Sequence, residues 1–247
     1  MKKATVVIVL SAIASIVALQ SCTSNNQANA EMQKPKTEST AAKTELVSAK
    51  MGEKEQSNAS NADAINMQNM QDAFKGETTA SAKYTAYSKK AEVEGYHEIA
   101  LLFKAASISE NIHAKNHQAV LEAAGQEVAA VTPEFTVRAT AENLKDAIAG
   151  EGYEISTMYP DFLKKAHKTG NQLSQLSLNY AYKTEQKHKP LYEKALAALQ
   201  SKTVNSLPTV YYVCSTCGNT YDATAPKRCG ISMTSSEKFI KINSLHS

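Results

Sequence analysis

The sequence predicts an all-α four-helix bundle with a crossover connection, followed by a small β-rich module. Residues 64–200 are rich in alanine, and their apolar side chains recur at the 3.6-residue period of a helix. The break at 125–140 is longer than the two others, which suits a crossover between two helical hairpins. After Gln200 the residues favour short strands and turns, in a segment so short that it can hardly stabilise a core without a metal.

Residues 1–22 are predicted to form a bacterial lipoprotein-type signal peptide. Lys2 and Lys3 precede an apolar run at 4–19 that is too short for a comfortable membrane span. The run ends in Leu-Gln-Ser-Cys, which resembles the lipoprotein cleavage box whose cysteine, here Cys22, is lipidated. An ordinary secretory signal is the alternative. Either way the mature protein is expected outside the cytoplasm, and a lipidated Cys22 would anchor it on the periplasmic side of the inner or outer membrane.

Residues 23–62 are predicted to form a disordered tether between this anchor and the folded domain. The stretch has no aromatic residue and few large aliphatic ones, so it cannot bury enough apolar surface to offset its ordering entropy. The net charge of the whole chain is only +3. Because no basic block with interleaved aromatic residues occurs, the sequence gives no support for nucleic-acid binding.

The helical domain is predicted at 63–200, and its four amphipathic helices are expected at about 64–94, 96–124, 139–168 and 172–200. Pro160 lies inside the third helix, where it should kink or locally unwind the backbone. A polar linker at 201–208 then leads to the module at 209–247. Within this module, 209–213 and 239–242 are predicted to be strands.

Acidic residues on the apolar helix stripes are the main functional signal. Four glutamates fall there: Glu77, Glu110, Glu151 and Glu185. A carboxylate that faces a core costs several kcal/mol unless it is paired or binds a metal ion. His113 and His188 each follow a glutamate by three residues, which places both members of each pair on one helix face. Two such pairs facing two further glutamates predict a carboxylate-bridged di-metal site, and this ligand set suits iron or manganese.

The motifs resemble those of the rubrerythrin family, in which a ferritin-like di-iron bundle precedes a rubredoxin-like domain. The resemblance covers about 69–242 and is carried by two Glu-x-x-His pairs, by Phe-Lys-Gly-Glu-Thr at 74–78, by Gly-Glu-Gly-Tyr-Glu at 150–154 and by Met-Tyr-Pro at 158–160. It implies seven iron ligands: Glu77, Glu110, His113, Glu151, Glu154, Glu185 and His188. It also implies that Glu110 and Glu185 bridge the two irons, and that His113 and Glu154 exchange at one iron with its redox state.

Further implications of the resemblance concern the surroundings and partners of this site. Tyr84 and Tyr159 match tyrosines that donate hydrogen bonds to the ligating carboxylates. His117, one helical turn beyond His113, could be an extra ligand, although a supporting or surface histidine is the simpler interpretation. A homodimer is expected, because family members pair a rubredoxin-like domain with the neighbouring subunit's bundle.

The C-terminal module departs from the family pattern at Ser232. Cys214 and Cys217 supply one Cys-x-x-Cys knuckle, but the second reads Cys229-Gly-Ile-Ser232. Iron could bind through three thiolates and a serine or water oxygen. Zinc could bind there in a purely structural role. The site could instead be empty, with Cys214 and Cys217 oxidised. A metal site with three cysteines is the favoured interpretation.

The function that the resemblance implies is a peroxidase that reduces hydrogen peroxide to water in oxidative-stress defence outside the cytoplasm. The alternatives are a ferroxidase and an iron-binding or storage protein without peroxide turnover. The sequence does not name the electron donor.

Overall fold

The computed structural model describes the backbone of residues 40–246 and the side chains of residue 58 and of residues 60–246. The chain divides into two compact units, Met1–Val47 and Ser48–Ser247, and of the first only residues 40–47 are described, as the start of a helix. The signal peptide, Cys22 and the first part of the tether lie outside the described residues. Within the described part of the chain, no helix combines the length and the apolar character needed to cross a bilayer.

Five α-helices build the bundle: α1 Thr40–Val93, α2 His97–Ala123, α3 Thr140–Tyr153, α4 Tyr159–Thr169 and α5 Gln172–Gln200. The second and last predicted helices are confirmed with nearly the expected bounds. The first helix starts earlier than predicted, so residues 40–62, which we assigned to a disordered tether, continue it instead. This segment is rich in Ala, Lys and Glu, whose helix propensity is high even where no apolar stripe is present.

Contacts between helices show two antiparallel hairpins joined by a crossover. In the first hairpin, Ser81 contacts Ser107 and Ser88 contacts Ala100, so α1 and α2 run in opposite directions. In the second, the Gln175 side chain donates to the carbonyl oxygen of Ala166. Residues 126–139 connect the hairpins without helix or strand, as the length of this break predicts.

The third predicted helix is divided by one π-helical turn, Glu154–Met158, between α3 and α4. Pro160 follows directly and occupies the first turn of α4, where its missing N–H is tolerated. The expected local unwinding near this proline is therefore confirmed. A π turn inserts one extra residue into the helix and rotates the side chains before it relative to those after it.

Aromatic residues fill the bundle core at one end of the carboxylate cluster. Rings of Tyr84, Tyr87, Phe103 and Tyr192 lie 5.4–6.1 Å apart between centroids, and all four are buried. Such tilted and edge-on contacts stabilise the core beyond the burial of the ring surfaces.

The C-terminal module is a three-stranded antiparallel sheet with the order β2-β1-β3. Its strands are β1 Tyr211–Cys214, β2 Thr220–Asp222 and β3 Phe239–Ile242. The first and third strands agree with the sequence prediction, whereas β2 was not predicted. Cys214 ends β1, and Cys217 and Gly218 form the turn before β2, so the first knuckle lies at the end of the central strand.

Candidate metal centre

Two glutamates bridge the centre of the bundle. Oε2 of Glu110 lies 2.9 Å from Nδ1 of His113, while its Oε1 lies 3.0 Å from Nδ1 of His188. Glu185 repeats this arrangement, with Oε1 at 2.9 Å from His113 and Oε2 at 2.8 Å from His188. Each of these carboxylates therefore presents one oxygen to each histidine, which is the geometry needed to bridge two cations.

Both histidines turn Nδ1 toward these carboxylates. Nε2 of His113 lies 3.1 Å from the carbonyl oxygen of Cys217, which can only accept, so Nε2 carries a proton. Nε2 of His188 contacts the Thr220 hydroxyl at 3.0 Å, and that hydroxyl already donates to the Gly218 carbonyl oxygen. With Nε2 protonated, each imidazole in its neutral form offers the lone pair of Nδ1 to a metal ion.

Two further glutamates complete the cluster, each held by a tyrosine. Tyr159 donates a short hydrogen bond to Oε1 of Glu77, and Tyr84 donates to Oε1 of Glu151 at 2.9 Å. Burial, reinforced by nearby carboxylates, raises the pKa of both tyrosines well above the usual range, so both stay protonated donors. The hydrogen-bonding positions expected for Tyr84 and Tyr159 are thus observed.

The carboxylates buried in this site require positive charge to balance them. Burial lowers the pKa of His188, but the carboxylates of Glu110 and Glu185 outweigh burial and raise it to about 10. Burial also raises the pKa of Glu77 to about 7, and that of Glu151 well above its usual range. In the absence of metal, protons therefore supply the positive charge that the carboxylates attract.

Unpartnered polar atoms give an independent test of whether a metal pair fits. Eight buried atoms of the cluster lack a hydrogen-bond partner: Oε2 of Glu77, both oxygens of Glu110, Oε2 of Glu151, both oxygens of Glu185, and Nδ1 of His113 and His188. Such atoms are rare in folded proteins because each costs desolvation free energy. They form two overlapping sets of potential ligand atoms within 4.8 Å of one another, one around each histidine. The donors fit two adjacent cations.

Glu154 is the one predicted ligand that lies outside both sets. Its side chain is half-buried and lines a cleft of about 360 Å³ with Tyr84, Gly76 and Gly150. Burial, followed by repulsion from Glu77 and Glu185, raises the pKa of Glu154 well above the usual value. Glu154 therefore lies close enough to the clustered carboxylates to be repelled by them. The π turn that begins at Glu154 gives it this position between cleft and cluster. The ligand roles of all seven residues stay predictions.

His117 is fully buried rather than exposed, and it is not among the clustered ligand atoms. Its Nδ1 lies 2.8 Å from the Ser177 hydroxyl, and its Nε2 lies 3.3 Å from the Tyr159 hydroxyl. Burial lowers the pKa of His117 to about 3, so the imidazole is neutral. Ser177 received no role from sequence, since only the packing of α2 against α5 brings it to His117.

The C-terminal module packs on the bundle of its own chain, directly over the two histidines. Besides the contacts of Cys217 and Thr220, the Ser109 hydroxyl donates to the Gly218 carbonyl oxygen at 2.7 Å. Gly218 has φ +77°, and a Cβ added there would lie 2.5 Å from Nε2 of His113. The expected contact with a neighbouring subunit's bundle is therefore not needed to bring the knuckle to the site.

The three cysteines of the module are buried free thiols whose sulfur atoms lie within 4.8 Å of one another. Sγ of Cys217 lies 3.4 Å from Sγ of Cys229, and Sγ of Cys214 lies 3.3 Å from Oγ of Ser232. The edge of a thiolate tetrahedron around zinc is about 3.8 Å, which follows from a metal–sulfur distance of about 2.3 Å. Hydrogen bonding to Cys217 lowers the pKa of the Cys214 thiol to about 4 despite burial. These atoms fit a single metal ion.

Comparisons with known proteins agree with this geometry. The family model described as Rubrerythrin matches residues 68–196. Rubrerythrin-2 of Clostridium acetobutylicum is 33% identical over 172 residues, which cover 69% of this chain and 92% of the relative. Nigerythrin of Nitratidesulfovibrio vulgaris is 31% identical over 181 residues, covering 70% of this chain and 84% of the relative.

Solved structures show the same architecture. Fully reduced, all-ferrous nigerythrin superposes with a TM-score of 0.64 at 30% identity, covering 71% of this chain and 86% of that one. A bacterioferritin of Desulfovibrio desulfuricans, at 20% identity and a TM-score of 0.54, shares the fold alone. The expected ferritin-like bundle with a small rubredoxin-like module is confirmed. The chain belongs to the rubrerythrin family of di-iron oxidoreductases.

Proposed function

We propose that this protein is a di-iron peroxidase that reduces hydrogen peroxide to water outside the cytoplasm, in defence against oxidative stress. The observation that carries the proposal is the pair of glutamates, Glu110 and Glu185, that each face Nδ1 of both histidines in a buried site. When bound there, a ferrous pair supplies two electrons and Lewis acidity for cleavage of the O–O bond. Manganese fits the same donors.

The protein's own residues position and insulate this chemistry. Tyr84 and Tyr159 fix the carboxylates of Glu151 and Glu77 and leave one oxygen of each free toward the centre. The cleft beside Glu154 offers a small, polar oxidant such as peroxide an approach to the cluster. The overall reaction consumes two electrons and two protons for each peroxide and yields two waters.

The test is steady-state peroxide consumption by the purified protein, loaded anaerobically with ferrous iron and supplied with a low-potential chemical reductant. We expect repeated turnover, with two electrons consumed for each peroxide. Iron oxidation that stops after one cycle would instead indicate the ferroxidase or the storage protein. The same assay on protein loaded with manganese in place of iron shows which of the two metals supports turnover.

We also propose that the C-terminal module binds one iron or zinc ion through Cys214, Cys217, Cys229 and the hydroxyl oxygen of Ser232. The short contact of Ser232 with Cys214 supports an oxygen as fourth ligand. With iron bound, the module would pass electrons from an external donor toward His113 through the Cys217 carbonyl contact.

Substitution of Ser232 tests this fourth ligand. Ser232→Cys should bind iron more tightly, with stronger thiolate-to-iron absorption bands, because it completes a four-thiolate site. Ser232→Ala should weaken the affinity of the module for its metal ion about tenfold or more, which is the range found when groups around a metal ion are altered. Metal titration followed by optical spectroscopy measures both effects, and Ser235→Cys controls for a thiol added outside the cluster. Equal affinity in Ser232→Ala and the unaltered chain would rule out the serine ligand.

The proposed location rests on the N-terminal sequence: a signal peptide at 1–22 and lipidation of Cys22 would hold the protein on the periplasmic side of a membrane. Fractionation of cells that express Cys22→Ala tests this, and release from the membrane fraction is expected. A homodimer is proposed from family membership. Sedimentation of the purified protein tests it, and a monomer at micromolar concentration would contradict it.

A further inference from the structure

A chain of hydrogen-bonded side chains runs from the candidate metal centre to a surface cleft. It starts at Glu77, whose carboxylate accepts from the Tyr159 hydroxyl. It continues from that hydroxyl to Nε2 of His117 at 3.3 Å, and from Nδ1 of His117 to the Ser177 hydroxyl at 2.8 Å. Tyr159, His117 and Ser177 are buried, so the chain crosses the core without contact to bulk water before its outer end.

The direction of each hydrogen bond in this chain is fixed by the first. Tyr159 donates its only hydroxyl proton to the Glu77 carboxylate, so the Tyr159 oxygen can only accept a hydrogen bond from His117. Nε2 of His117 must therefore carry the imidazole proton, which leaves a lone pair on Nδ1. Ser177 must then donate its hydroxyl proton to that lone pair. All three donors point the same way, from the cleft toward Glu77.

The outer end of the chain reaches solvent at a cleft of about 170 Å³ between α2 and α5. Ser177 lines this cleft together with Asn116, Leu176 and Tyr180. Leu176 is 48% exposed, which shows that the cleft opens at the surface. The volume is sufficient for several waters, and a water there could donate to the Ser177 hydroxyl.

We propose that His117 relays protons from this cleft to the metal centre during peroxide reduction. The inference rests on the proposed function, whose reaction takes up two protons for each peroxide. In one relay event the Ser177 proton moves to Nδ1, the Nε2 proton moves to the Tyr159 oxygen, and the Tyr159 proton moves to Glu77. Ser177 recovers a proton from cleft water, so the net change is one proton carried inward. Rotation of the imidazole ring and of the Tyr159 and Ser177 hydroxyls then restores the starting arrangement for the next proton.

A neutral imidazole suits this role because it holds one proton and one lone pair on opposite sides of the ring. A purely structural residue would need only to fill space and satisfy two hydroxyls. Glutamine can do both, since its amide donates from nitrogen and accepts at oxygen, but it does not readily exchange protons between these atoms. His117→Gln therefore separates a relay from a structural role.

The experiment measures the rate at which peroxide oxidises the anaerobically reduced, metal-loaded full chain. We expect His117→Gln to slow this oxidation about tenfold or more, since positioned proton transfer contributes about 10²–10⁴-fold in enzymes. Metal content and thermal unfolding should match those of the unaltered protein. His167→Gln, an exposed histidine on α4, serves as the matched control and should react at the original rate.

Three further measurements test the proposal if His117→Gln binds metal poorly. Ser177→Ala removes only the outer donor and should slow oxidation as well. Imidazole added to His117→Ala should restore part of the rate, because it can enter the vacated space from the cleft. In the metal-free full chain, ¹⁵N NMR should show His117 with its proton on Nε2.

The outcomes separate the relay from the proposed function. If the unaltered protein does not react with peroxide, the peroxidase function fails. If it reacts, and His117→Gln and Ser177→Ala react equally fast, the relay is wrong while the function stands. A proton on Nδ1 of His117 would overturn the inferred direction of the chain.

Discussion

Glu110→Ala is expected to abolish binding of the metal pair, because it removes a ligand from both ions at once. Each Glu110 oxygen faces a different histidine, and neither has a hydrogen-bond partner in the protein. Loss of a terminal ligand such as Glu77 should weaken one ion, whereas loss of a bridge also removes the carboxylate that screens the two cations from each other. We therefore expect fewer than one metal ion in the bundle instead of two.

The stability of Glu110→Ala should fall far more with metal than without it. In the metal-free protein the substitution removes both the repulsion of Glu151 and the attraction of protonated His188, so the thermal midpoint should change little. With iron, the large stabilisation that metal binding gives the unaltered protein should disappear. Metal analysis and thermal unfolding, each with and without ferrous iron, measure both effects.

Glu122→Ala is the matched control for this substitution, since Glu122 is exposed on the same helix and its carboxylate accepts a hydrogen bond from Gln118. It should retain two metals and the metal-dependent rise in thermal midpoint. Two tightly bound metals in Glu110→Ala would contradict the bridging assignment.

Gly218→Ala is expected to detach the Cys214–Cys217 knuckle of the C-terminal module from the bundle. The new Cβ would lie 2.5 Å from Nε2 and 2.8 Å from Cδ2 of His113, and 2.7 Å from Oγ of Ser109. The imidazole lies between the Cys217 carbonyl oxygen and the carboxylates of Glu110 and Glu185, so it cannot yield far. The left-handed backbone at φ +77° adds about 1–2 kcal/mol of strain for a residue with a side chain. The few hydrogen bonds between knuckle and bundle return less than these costs, so the knuckle should move away while Tyr211, Val213 and Ile242 keep the strands packed on the bundle core.

Hydrogen exchange measures this detachment directly. In Gly218→Ala the amides of β1 and β2 should exchange faster, and electrons added to the module should reach the bundle iron more slowly. Gly230→Ala is the control in the same module, because an added Cβ there meets nothing closer than the Tyr221 hydroxyl at 3.9 Å. Equal exchange and electron transfer in both variants would show that the close packing at Gly218 does not hold the module.

The helices and most of the candidate ligands could be predicted because both depend on local periodicity. An apolar stripe with a 3.6-residue repeat fixes which face is buried, and Glu110, His113, Glu185 and His188 lie on that face at three-residue spacing. The crossover followed from the length of one break. Those features need no knowledge of which helix packs against which.

Other features depend on contacts between distant parts of the chain. His117 follows His113 by one turn, which signals a shared face, but its burial depends on Ser177 and Tyr159 from other helices. The position of Glu154 depends on the π turn, which the spacing of residues does not encode. The packing of the module over the histidines depends on Gly218, which lies 105 positions after His113. Strand β2 is too short to show an alternating pattern in the sequence.

The position of the module over the two histidines also affects when metal can enter the bundle. Before the module packs, the edge of the bundle that carries His113 and His188 is uncovered, and ions can reach the imidazoles from that side. Packing of Gly218 against His113 then covers this edge. Protein that folds without iron should therefore take up iron more slowly afterwards than protein that folds with iron present.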